Sequence, residues 1–181
     1  MHWHDKHEKM CFRDQMLWKV VRARHDVMSI IEVSKFQDDI KIRVKGFRDK
    51  LELRNAHSAI FAFCRAELVA DNYFHAVLEA NKGLLQRIRD ISGVEADGNR
   101  LIEQVFSNKP VVIINSFKTQ SEKDEHTGFC NLLRGLCGMF RNPLSHVPKE
   151  EWPIREQDAL EILGIISYCH RRLDNAHKIM K

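Results

Sequence analysis

Six consecutive residues, Arg141-Asn142-Pro143-Leu144-Ser145-His146, combine the side-chain types that phosphodiester chemistry needs. Arginine offers a rigid fork of donors matched to phosphate oxygens, and histidine takes and returns a proton near neutral pH. On a regular helix, residues five apart stand about 140° apart, so an uninterrupted helix would put these two groups on different faces. Pro143 cannot donate a helical hydrogen bond and disfavours α backbone at Asn142. The expectation is a bend that folds His146 back beside Arg141. Asn142 would orient either partner, or cap a following turn whose exposed N–H groups add to the anion site.

The remaining titratable residues point less sharply to chemistry. His2, His4, His7 and Cys11 have a spacing that could hold a metal, but a His-rich stretch reads as a frayed terminus, and neither metal nor cofactor is assigned. His57, His75 and His126 read as helix-surface or capping residues. His170 sits beside the basic outer face of the last helix, where contact with a phosphate backbone is conceivable. Met139 and Phe140 read as packing rather than as a cofactor box.

Composition sets the frame that must hold this segment. The chain has 181 residues, 44% apolar and 30% charged, with eight glycines and four prolines. That is enough to bury one core without disulfides, and it argues against disorder and against a many-turned β architecture. The five cysteines, Cys11, Cys64, Cys130, Cys137 and Cys169, form an odd set without a C-x-x-C pair and read as reduced core residues. No apolar run is long enough to span a bilayer, and the N-terminus lacks the apolar stretch of a signal peptide, so the expected location is the cytoplasm, away from membranes. A net charge of +4 permits a polyanionic partner without demanding one.

Helical periodicity dominates. Phe36, Ile40, Val44, Phe47 and Leu51 mark one amphipathic helix, and a preceding stretch from Phe12 to Ile31 has similar spacing, with Ser34 available as a cap between them. This predicts an N-terminal helical arm or hairpin over 1–56, followed by a helical domain over 57–181. Ile60, Phe61, Phe63, Cys64, Leu68 and Val69 predict a central helix, interrupted near Ala70-Asp71-Asn72. A helix from Tyr73 to Ile91 stops at Gly93, and a shorter one follows the Asp97-Gly98 turn. Lys109 to Ile114 is β-branched and aperiodic, so at most one short β-like hairpin is expected near 109–117. Thr119 with Glu122 is a capping-box spacing that opens a helix through Phe129, Leu133, Leu136 and Phe140. Gly128, Gly135 and Gly138 in that helix suggest close approach of another backbone. The last helix is expected from Arg155 to Ile179. The fold class is all-α.

Arginine, a polar residue, three more residues and histidine is a pattern that resembles the signature of HEPN-superfamily ribonucleases. More narrowly, Tyr73 to Ala80, the turn Asp97-Gly98-Asn99-Arg100-Leu101, Gly128, and Phe140 to His146 resemble the Ymh family of bacterial proteins, over residues 57 to 175. The resemblance implies a HEPN-like helical bundle that pairs as a homodimer with two motifs facing one cleft. It implies Arg141 as phosphate clamp, Asn142 as positioning residue and His146 as proton shuttle of a metal-independent endoribonuclease. The setting would be toxin–antitoxin or phage defence, with RNA as substrate and an antitoxin or other regulatory protein as a further partner. Arg134, Lys149, Arg171 and Arg172 are candidate RNA contacts by charge. The alternative is a non-catalytic HEPN module that binds RNA, nucleotide or a partner protein through the same groove.

Overall fold

A computed structural model describes residues 12–63, 65, 73–107, 109–141 and 153–179. The chain divides into two units, Met1–Ile42 and Arg43–Lys181. Helix α1 runs without a break from Phe12 to Leu53, so of the expected arm or hairpin the hairpin with a cap at Ser34 does not form and a continuous helix takes its place. The reason is local: no proline occurs in this stretch and its single glycine, Gly46, comes late, so nothing overrides helical continuation at Ser34. The helix ends where Asn55 adopts a left-handed conformation (φ 51°). Ala56 N–H donates to Leu51 O at 3.0 Å and Asn55 N–H to Glu52 O at 2.9 Å, the paired bonds of a Schellman ending.

Helix α2 covers Ser58–Phe63, and His57 opens it by accepting a hydrogen bond from the Ala59 amide at Nδ1 (3.1 Å), a capping role. Of the expected central helix, Ile60 is buried but Phe63 is partly exposed; Cys64, Leu68 and Val69 lie outside the described residues. Helix α3, Tyr73–Ser92, buries most of its length and stops at Gly93, whose positive φ of 70° suits glycine alone without strain. Helix α4 spans Gly98–Phe106.

Strand β1, Val112–Ile113, is extended as expected. Its antiparallel partner is β2, His177–Lys178, from the end of the chain rather than from within 109–117. That pairing draws the last segment out of helix: α6 covers Glu156–Asp174 and stops short of the expected Ile179. Helix α5, Gln120–Leu136, opens with the complete capping box. Thr119 accepts from the Glu122 amide, and the Glu122 carboxylate accepts from the Thr119 amide at 2.8 Å. Hydrogen bonds from Ser116, Thr119 and Lys118 together pull the Glu122 pKa down to about 2.

Helices α3 and α6 pack along each other, with α4 and α5 joining them. Leu84, Leu85 and Ile88 of α3, Leu101 and Ile102 of α4, and Leu163 and Ile166 of α6 are essentially without solvent contact. Each such side chain contributes roughly 1.5–3 kcal/mol by leaving water. Phe47 and Leu51 at the end of α1 join the same core. Cys130, Cys137 and Cys169 are buried cysteines. No described helix is long and apolar enough to cross a membrane.

Candidate active site around Arg141

Arg141 is the last residue of a π-helical turn, Cys137–Arg141, that continues α5. Widening the helix there changes the angle per residue, so a regular 100° step does not carry through this stretch. Such turns concentrate at functional sites. The sequence contains a cause: Pro143 has no N–H to offer the Met139 carbonyl, so the regular bonding pattern must end before it. Asn81 supports the change of pitch from the neighbouring helix. Fully buried on α3, it donates its side-chain N–H to the Leu136 carbonyl at 3.0 Å, at the junction between α and π geometry.

The guanidinium of Arg141 is held by Asp97 through an ion pair. Asp97 stands at the N-cap of α4, yet its side chain makes no capping bond to that helix and serves two arginines instead. The second is Arg89 of α3, at 3.1 Å, itself fixed by Gln86 at 2.8 Å. Burial would raise the Asp97 pKa, but the Gly98 amide, Arg141 and Arg89 outweigh it and hold the carboxyl below its ordinary range. Gly98, with φ 56°, lets the chain turn close beside the Cys137 sulfur and the Arg141 guanidinium. The cluster rims a groove of about 380 Å³, with Lys82, Arg89 and Arg141 as its cations and Glu79 and Asp97 as its anions.

Gly83 forms part of that groove for a steric reason. A Cβ at this position would overlap the ring of Phe63. Gly83→Ala is therefore expected to destabilise the chain by about 1–2 kcal/mol, despite the roughly 1 kcal/mol that alanine gains in a helix. Denaturant unfolding of Gly83→Ala, Phe63→Ala and the double variant checks this: the double variant should recover most of the loss, and additive losses would refute the clash. By contrast, among the described residues nothing lies within 4 Å of a Cβ built at Gly128, Gly135 or Gly138, so the close backbone approach expected at those glycines is not found among them; the tight contact is that of the Phe63 ring with Gly83.

The other expected site residues are distributed differently. Asn142, His146 and Lys149 lie outside the described residues, as do His2, His4, His7 and Cys11. Arg134 pairs with Glu103 at 3.1 Å and lines a separate cavity of about 460 Å³. Arg172 pairs with Glu125 at 2.6 Å, and Arg171 donates to Ser167 Oγ at 2.8 Å. His126 is buried, not a surface or capping residue, and donates from Nε2 to the Phe106 carbonyl at 2.9 Å. His170 is also fully buried and stacks on His57 at 5.1 Å, which removes it from contact with any phosphate backbone. Asn81, Arg89 and Asp97 are the supporting residues that sequence reasoning did not single out. Only Asp97 had a local signal, its place in the Asp97-Gly98 turn.

Neither a curated protein nor a solved structure matches the chain. Residues 54–173 match the profile of Hypoth_ymh, described as a protein of unknown function, which takes in α2 to α6 and every element around Arg141. Well over half of the sequence is covered, and the chain belongs to the Ymh family of proteins of unknown function.

Proposed function

We propose that the protein is a metal-independent endoribonuclease of the HEPN superfamily. The observation that carries this reading is Arg141, placed by a π-helical turn at a groove that it shares with Lys82 and Arg89 and oriented there by Asp97, one residue before Asn142 and five before His146. A guanidinium fixed in this way is suited to hold a phosphate through two parallel hydrogen bonds.

In the proposed reaction, His146 removes the proton of a ribose 2′-hydroxyl and the 2′-oxygen attacks the adjacent phosphorus. The bond from phosphorus to the 5′-oxygen breaks, and the departing oxygen takes a proton. One histidine serves one proton transfer per step, so a homodimer that brings both copies of His146 to one cleft supplies base and acid together. Arg141 stabilises the charge gathering on the non-bridging oxygens, and Asn142 positions the phosphate or the imidazole. Single-stranded or looped RNA is the preferred substrate because splayed nucleotides reach a cleft. Such an activity suits toxin–antitoxin or phage-defence systems in the cytoplasm, with an antitoxin or other protein as restraint.

A second reading, a non-catalytic module for RNA, nucleotide or a partner protein, draws support from one fact: Arg141 is already engaged by a carboxylate. Incubation of the full chain with matched RNA and DNA oligonucleotides in EDTA separates the two. The nuclease cuts RNA under chelation and leaves DNA intact, since DNA lacks the attacking hydroxyl. Cleavage only on addition of Mg²⁺ overturns the mechanism, and salt-sensitive binding without product favours the module.

A further inference from the structure

Helix α1 has almost no net amphipathicity over its full length, although most of its apolar residues are spaced at helical intervals. The two facts are reconciled by a reversal of phase. At 100° per residue, every apolar residue between Met16 and Val33 except Trp18 and Val33 falls in one sector of about 180°, with Leu17, Val20, Val27 and Ile31 near its middle and Met28 and Ile30 toward its edges. Arg24 is the single charged residue in that sector. Phe47 and Leu51, at the other end of α1, fall about half a turn away by the same count and are buried in the core. The second face is covered by the chain itself. On the first face the large apolar residues are between 40% and 67% exposed.

Such a stripe needs a cover, since helices draw most of their stability from packing an apolar face. We propose that it is covered by the same stripe of a second copy, the two helices running antiparallel about a two-fold axis. Charge supports this occupant. Lys19 and Arg24 lie in the first half of the stripe-bearing segment and Asp26 and Glu32 in the second, so antiparallel pairing sets the basic half of one copy against the acidic half of the other, whereas parallel pairing opposes like charges. Extent supports it as well: eight large apolar residues from Met16 to Ile31 are exposed along about four turns of this face. An anionic membrane surface fits less well, because Asp26 and Glu32 would be repelled by it. This pairing names the contact that holds the homodimer of the ribonuclease reading and to that extent rests on it; its own readout is mass, whereas failure of that reading shows as RNA left intact.

Sedimentation velocity of the full chain at micromolar concentration is expected to give twice the chain mass. Val20→Asp with Val27→Asp should give one chain mass with an unchanged melting transition for Arg43–Lys181, and Ser29→Ala, on the polar face, should remain a dimer. Lys19→Glu with Arg24→Glu should weaken association at least tenfold, and adding Asp26→Lys with Glu32→Lys should restore it. A single chain mass for the natural sequence at 100 µM overturns the proposal, and so does a dimer that survives the two aspartates. Binding to vesicles containing phosphatidylserine, lost in the aspartate variant of an otherwise monomeric chain, would assign the stripe to a membrane instead and equally overturn it.

Discussion

Replacement of His146 by alanine is expected to lower RNA cleavage in EDTA by about 10²- to 10⁴-fold, the usual contribution of a positioned general acid–base group. Arg141→Ala should lose a comparable factor, because the guanidinium opposes charge that exists fully only in the transition state. Arg141→Lys should not restore it, since a lysine ammonium lacks the planar fork that Asp97 orients. Neither change should unfold the protein. The Arg141–Asp97 pair is partly exposed, so its loss costs about 1 kcal/mol or less. Single-turnover rates measured alongside unfolding midpoints check both points, and variants that keep a third or more of the natural rate would refute the assigned roles.

The second large effect is on stability and follows from His170. Its side chain is without solvent contact, and the groups around it are Arg87, His57 and Asp174. Burial lowers its pKa most, Arg87 and His57 lower it further, and Asp174 opposes them, leaving it at about 4 against an ordinary 6.5. Arg87 reinforces the neutral form, with Nη1 at 3.3 Å from His170 Nδ1 and 3.0 Å from its carbonyl, while Nη2 holds Asp174 at 2.6 Å. Because the folded pKa lies below the unfolded one, the unfolded chain binds the extra proton between these values. Stability is therefore full above about pH 6.5 and is lost as pH falls toward 4. The difference corresponds to about 3 kcal/mol. Urea unfolding between pH 7.5 and 4 should show a loss of this size in the natural chain, and His170→Gln should remove most of it. Equal pH slopes for the two would show that His170 does not carry the effect.

Much of the scaffold was legible in the sequence because the signals were local. The Thr119–Glu122 box, the stop at Gly93 and the apolar faces of α3, α5 and α6 each follow from periodicity or cap chemistry within a few residues. The missed features depend on distant partners. Strand β1 finds β2 some 65 residues later, Asn81 reaches the Leu136 carbonyl from another helix, and Gly83 is required by a ring on α2. His126 and His170 read as surface residues because a histidine's burial is decided by what packs over it, and sequence spacing does not report that. At the site itself, the bend expected at Pro143 lies outside the described residues, and the helix widens before it, from Cys137. The continuity of α1 was missed for the opposite reason. A reversal in the phase of apolar residues resembles a break between two helices, although no residue there breaks one.

That Arg141 and His146 act on one scissile diester is tested most directly by the ends left on cleaved RNA. After incubation of the full chain with a labelled single-stranded RNA in EDTA, 2′,3′-cyclic phosphate and 5′-hydroxyl ends are expected, absent from the His146→Ala reaction. Ends bearing 5′-phosphate, or RNA left intact by the natural sequence, would contradict it.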